Sequence, residues 1–121
     1  MTINVPLLRK IKRHIQEEPR RLKMRFWGRK VDPLGRGKPP CGTQACLAGW
    51  AVLLSIPRKE WDRTIQSWQP QPDAGEAKQP DNKAARLMGV PVRKCPFYQT
   101  RMSARGVIKW IDKKIEEAKS A

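Results

Sequence analysis

Residues 39–57, PPCGTQACLAGWAVLLSIP, carry no charge at all, inside a chain that is 31% charged with a formal net charge of +15. A run this apolar has to be buried at its centre, because each large aliphatic side chain left in water forgoes about 1.5–3 kcal/mol. The cations on either side have to stay hydrated or meet an anion. They are unevenly placed: residues 1–38 hold 12 Lys/Arg against 3 acids, and residues 83–121 hold 10 against 3. Residues 58–68 are nearly balanced and 69–82 are slightly acidic. The expected molecule is a neutral core between two cationic arms.

The 121 residues suffice for one domain, 1–121, with a core that needs no disulfide or metal. The longest apolar stretch, 45–54, is about half of what a bilayer requires and is interrupted by Gly49. The first residues, MTINVPLLRK, lack the apolar core of a signal peptide. Three cysteines without a repeating spacing do not form a secreted disulfide framework. A cytoplasmic protein with reduced thiols is expected.

Spacing predicts a mainly α fold, a helical bundle of about five helices joined by Pro-rich connections. Asn4 caps the first helix, Pro6 sits in its first turn, and Leu8, Ile11 and Ile15 recur at helical spacing up to Pro19. Residues 20–31 alternate Leu22, Met24 and Phe26 with cations, which fits either a short strand or an irregular helical turn. Pro33, Gly35, Gly37, Pro39 and Pro40 mark a loop. A second helix from Thr43 as cap to about Leu54 is apolar nearly all round, as a central helix is. Ser55 and Pro57 fit the start of a third, 57–68, with Trp61, Ile65 and Trp68 on its face. Residues 69–80, QPQPDAGEAKQP, read as an exposed linker. A fourth helix runs from Asp81 as cap to Gly89 as stop. The last, capped by Ser103, steps through Ala104, Val107, Ile108, Ile111, Ile115 and Ala118.

The string CGTQACLAGWA at 41–51 resembles the core motif, of CGTxxCxAGWA type, of an uncharacterised family of small bacterial and bacteriophage proteins. Flanking features agree in order: Pro19 and Trp27 before the motif, then Ala84, Ala85, Leu87 and Gly89, then Phe97 and Tyr98, and a closing helix from Ala104 to Ile111. The resemblance covers most of the chain outside the linker. It implies a common fold and a bacterial or phage origin, and it implies no activity. The strong positive charge is this chain's own.

Several residues invite a chemical reading. Cys41 and Cys46 fall at and just inside a helix start, where the helix dipole lowers a thiol pKa. A nucleophile needs a base, however, and the one histidine, His14, lies on another helix. Cys41, Cys46, Cys95 and His14 would make an acceptable zinc ligand set, but C-x₄-C is at the edge of ordinary spacing and Cys46 must point into a core. Small buried thiols without metal are the expected state. Gly49 inside an apolar helix costs about 1 kcal/mol of propensity, which close approach of another helix or a ring at that point would offset. Of the five tryptophans, Trp50 is core and Trp110 half-buried beside the last apolar stripe. The segment Arg25-Phe26-Trp27-Gly28-Arg29-Lys30 interleaves rings with cations, so it can stack on unpaired bases. The favoured reading is that Phe26 or Trp27 staples the loop to the core beneath arginine stems. No carboxylate pair or acidic metal cluster suggests hydrolysis, so no catalytic residue and no cofactor is expected.

The leading expectation is a non-enzymatic protein that binds DNA or RNA through the phosphate backbone. Its cations would come from the first helix (Arg9, Lys10, Arg13) and from the segment after it (Arg20, Arg21, Lys23, Arg25, Arg29, Lys30). The last helix would add Lys109, Lys113 and Lys114. The alternative partner is an acidic host protein gripped by a phage or mobile-element accessory protein; a membrane is not expected.

Overall fold

A computed structural model describes residues 2–30, 43–68 and 79–120. The loop at 33–40, Cys41 and most of the linker at 69–80 therefore fall outside the described residues. The fold is mainly α, with five α-helices among the described residues: α1 (Val5–Glu17), α2 (Leu47–Leu53), α3 (Trp61–Ser67), α4 (Asp81–Met88) and α5 (Ala104–Ser120). The described strands are two residues each, β1 (Arg29–Lys30) and β2 (Thr43–Gln44), paired antiparallel with Arg29 opposite Gln44. No described helix is long and apolar enough to cross a membrane.

The core is organised around α2, every residue of which is buried. With no charged side chain and no polar face, it has no orientation that leaves one side in water. It packs on α1 and, most extensively, on α4, while α5 lies chiefly against α1. Because α2 alone lacks a polar face, the sequence predicts that it is contacted by the first and last helices, 5–18 and 103–118. The short α4 takes the nearer place because Ala84 and Ala85, both buried, let its backbone approach. Trp50 at the centre is fully buried, and its indole N–H donates to the Arg21 carbonyl at 2.9 Å.

Helix boundaries differ from the expected ones in an informative way. Thr43 does not cap α2; it is buried in β2, and the cap is Cys46, whose Sγ accepts from the Gly49 amide at 3.4 Å. The four residues 43–46 are extended because the 20–30 segment offers them backbone partners. Ala45 donates to the Arg21 carbonyl, Lys23 to the Ala45 carbonyl, and Cys46 to the Phe26 carbonyl. An isolated parallel bridge, Leu22 with Ala45, belongs to the same lacing. Over its described residues, 20–30, the segment is thus neither one strand nor one helix: a 3₁₀ turn at Pro19–Arg21 leads into the bridge and then into β1.

Ser55 likewise does not start α3; its hydroxyl donates back to the Ala51 carbonyl at 2.7 Å, and a 3₁₀ turn at Arg58–Glu60 precedes the helix. Asp81 is the first residue of α4 rather than its cap, a place held by Pro80. Three expected caps are present. Asn4 Oδ1 accepts from the Leu7 amide, Ser103 Oγ accepts from the Gly106 amide, and Gly89 ends α4 in the left-handed conformation at φ 72°. Asn4 also donates through Nδ2 to the Leu87 carbonyl, tying the start of α1 to the end of α4.

Gly49 shows why a glycine stands inside the central helix. A Cβ there would lie 1.7 Å from the Trp27 carbonyl oxygen. The close neighbour is the backbone of the aromatic-basic segment, not a helix or a ring.

Candidate functional site

The cations expected to form one surface divide into three groups. Arg9 and Arg13 stand four apart on the side of α1 opposite Leu8, Ile11 and Ile15, and Lys109 and Lys113 repeat the arrangement on α5. All four are exposed and make no ion pair among the described residues. Lys10 is exposed on a neighbouring face, its ammonium donating to the Leu54 carbonyl at 3.0 Å. α1 and α5 are pinned together by Lys12 and Asp112 at 2.6 Å.

Two cations belong instead to the scaffold. The Arg21 guanidinium donates to the His14 carbonyl at 2.9 Å, meets His14 Nδ1 at 3.2 Å and reaches Glu17 at 3.4 Å. Lys114 is only 9% exposed, paired with Glu117 at 3.1 Å and lying over the Trp110 ring. Both had been expected at a phosphate-binding surface, and both are drawn inward because long aliphatic stems can cover apolar surface while the charged head finds a nearby carboxylate. Arg20 is exposed but held by the Glu18 carboxylate through Nε and Nη2, at 2.9 and 3.0 Å. The side chain of Lys30 lies outside the described residues.

The third group forms a concavity. Lys23, Met24, Arg25, Phe26 and Arg29 make one wall of a groove of about 510 Å³. Thr100, Met102 and Ser103, at the entry to α5, make the other. A smaller hollow of about 250 Å³ adjoins it, sharing Met24, Arg25 and Thr100 and including Trp27 and Tyr98. Arg29 is held rigidly: its Nε and Nη2 both donate to Gln44 Oε1, at 3.1 and 2.8 Å, while its guanidinium sits 3.9 Å from the Phe26 ring centroid. Gln44 is fixed in turn, since its Nε2 donates to the Arg20 carbonyl at 2.8 Å. Lys23 and Arg25 are exposed and free of ion pairs among the described residues.

The two rings of the aromatic-basic segment have different situations. Trp27 is half-buried against the core and meets Tyr98 edge-on at 5.8 Å, with its own carbonyl seated on Gly49. Phe26 is 37% exposed on the groove. Trp27 is therefore the staple and Phe26 the available ring. Tyr98, 64% exposed, is oriented by a 2.7 Å hydrogen bond from its hydroxyl to Asp81.

Cys46 and His14 are both committed to packing. Burial pushes the Cys46 thiol up to about 11, against the lowering that its helix-start position suggested, and Cys95 is raised to about 11 for the same reason. Desolvation outweighs the weak N–H donors around the sulfur. Cys95 Sγ points to the Pro91 carbonyl at 3.4 Å. The His14 ring lies edge-on to Trp50 at 4.2 Å and to Trp61 at 6.5 Å. Because arginine only donates, the Arg21 contact makes Nδ1 an acceptor and leaves the neutral ring's proton on Nε2, a buried atom without a hydrogen-bond partner among the described residues. Among the described residues no three of His, Cys, Asp and Glu gather as metal ligands.

The groove's second wall went unread in the sequence. Thr100, Met102 and Ser103 carry no cation and no periodic signal, and they meet residues 22–29 only because the entry to α5 packs beside that segment. In the sequence Tyr98 stands out only as half of an aromatic pair with Phe97. Compared with family models, with curated proteins and with solved structures, the chain matches none of them.

Proposed function

We propose that this chain is a non-enzymatic protein that binds nucleic acid through the phosphate backbone. The observation that carries the reading is the set of exposed cations left without carboxylate partners among the described residues. Arg9 and Arg13 on α1, Lys109 and Lys113 on α5, and Lys23 and Arg25 on the groove are all of this kind. Cations arranged this way repel one another, so a polyanion that neutralises them is favoured by Coulomb attraction and by release of its condensed counterions. The chain as a whole adds to the attraction, with a net charge of +15. The scaffold behind them is rigid where it matters, since Arg29 is held by the Gln44 side chain and Gln44 in turn by the Arg20 carbonyl. The resemblance of the central motif to a family of small bacterial and phage proteins is compatible with this role and names no other.

Affinity measured by fluorescence anisotropy against salt tests it. If about five phosphates are neutralised, log K against log salt on duplex has a slope of roughly −4 to −5, so a threefold rise in salt weakens binding about a hundredfold. Absence of binding at about 100 mM salt, or a slope near zero, would refute the reading. An acidic protein partner would then be the better account of the charge.

A further inference from the structure

We propose that the groove between residues 22–29 and 100–104 seats unpaired bases, which makes single strands the preferred form of nucleic acid. The inference rests on the nucleic-acid reading above and names the form that the site would take.

Three observations support it. The first is where apolar surface is left in water. Among the described residues the exposed large apolar side chains are Phe26, Val92 and Tyr98, and two of these three line the same pair of adjoining hollows. Exposed rings gathered on one strip mark a contact surface, whereas isolated ones need no account. The second is the chemistry of the strip. Arg25 lines both hollows, Lys23 and Arg29 line the larger one, and among the described residues no acidic side chain lines either. Cations beside accessible ring faces suit a chain that alternates phosphates with flat π-systems. The third is preorganisation. The Arg29 guanidinium already stacks on Phe26 and is fixed by Gln44, and Tyr98 is braced edge-on by Trp27 and tethered to Asp81, so neither ring has to be ordered on binding.

A duplex hides its base faces inside the stack and presents only edges and phosphates. It could meet Arg9, Arg13, Lys109 and Lys113 equally well, but it has nothing to place on Phe26. Unpaired bases do: one on Phe26, the next across Arg25 toward Tyr98, with the intervening phosphate at Arg25 or Lys23.

The test uses the full chain and labelled oligonucleotides of about twelve nucleotides, a length within the range one small site engages: oligo-dT, oligo-U, and a mixed-sequence duplex. At matched ionic strength both single strands should bind more tightly than the duplex. Phe26→Ala should weaken single-strand binding roughly fivefold or more, the fold-change equivalent to the low end of base–aromatic stacking, with duplex affinity and salt slope unchanged. Phe26→Tyr should retain the affinity and Phe26→Leu should not, which separates a π face from mere apolar bulk; each variant is checked for an unchanged melting temperature. Lys23→Gln with Arg25→Gln should lower affinity and also flatten the single-strand slope by about 0.7 per lost contact. Equal affinity for duplex and single strands, with Phe26→Ala indifferent to both, overturns the groove while leaving the broader reading in place. Binding of neither nucleic acid, or binding of polyglutamate instead, overturns both.

Discussion

A single histidine shows how far position can override a residue's ordinary chemistry. Alone in a sequence, His14 suggests a base or a ligand; in the fold it is a ring packed edge-on to Trp50 and Trp61, which also meet each other. Its pKa is lowered from 6.5 to about 4, first by burial and then by the Arg21, Arg58 and Lys10 charges, which together outweigh Glu17. The folded pKa lies below the unfolded one, so the unfolded chain takes up a proton that the folded chain resists. The contribution of the neutral ring to stability is complete above about pH 6.5 and is lost as pH falls toward 4. The ring is partly exposed, so the full shift is discounted to about 1–2 kcal/mol. Urea unfolding of the parent and of His14→Gln, compared at about pH 7 and about pH 4.5, should show the parent losing that much more than the variant. Equal losses would mean that the ring is hydrated. Lys114 and Arg21 are the same lesson among cations: a long basic side chain set against a ring and a carboxylate joins the scaffold, whereas one on an open face, such as Lys113, stays in water.

Among the elements, α2 and the segment that crosses its start depend on each other. The apolar character of α2 is plain in the sequence, and so is the oddity of a glycine within it. What could not be read was the object that the glycine admits. The Trp27 carbonyl occupies the space of a Cβ at Gly49, and the Phe26 carbonyl accepts from Cys46 at 2.8 Å, so residues 26–27 run directly over the helix start. Gly49→Ala gains about 1 kcal/mol of helix propensity and meets backbone that cannot move aside without breaking the lacing at 43–46. A net loss of about 2–4 kcal/mol is expected, measured by denaturant unfolding. It should also disturb the groove, because Phe26 and Arg29 ride on the displaced segment. A neutral effect would show that the segment is loosely held. Caps were legible where a side chain serves its own helix, as at Asn4 and Ser103. They were not legible where another segment competes for the same backbone, as at Thr43, which lies in β2 rather than at a helix start.

For the molecule as a whole, charge is the dominant property, and its two sources can be separated. Arg9 and Arg13 lie on α1, while Lys23, Arg25 and Arg29 line the groove. Reversing Arg9 and Arg13 to Glu removes two cations that contact nothing in the core, so the melting temperature should stay within a few degrees. If both meet phosphate, the slope of log K against log salt on duplex should fall from about −4.5 to about −2.7. An unchanged slope would place the whole interface elsewhere, with the groove the first alternative.

The sequence alone determined the inventory: a mainly α molecule, an uncharged central helix, and two cationic arms. These follow from composition and from the period at which apolar residues recur, and both are local properties of a chain. The rings at 26 and 27 could be seen to alternate with cations, but which was structural and which accessible could not. That division arose only when Trp27 packed against the core over Gly49 and left Phe26 on the groove. The groove itself, joining residues 22–29 to residues 100–104, and the preference of α2 for α4 over α5 were likewise decided by tertiary packing. Contacts between segments tens of residues apart depend on which surfaces fit most closely, and no periodicity within one segment carries that information.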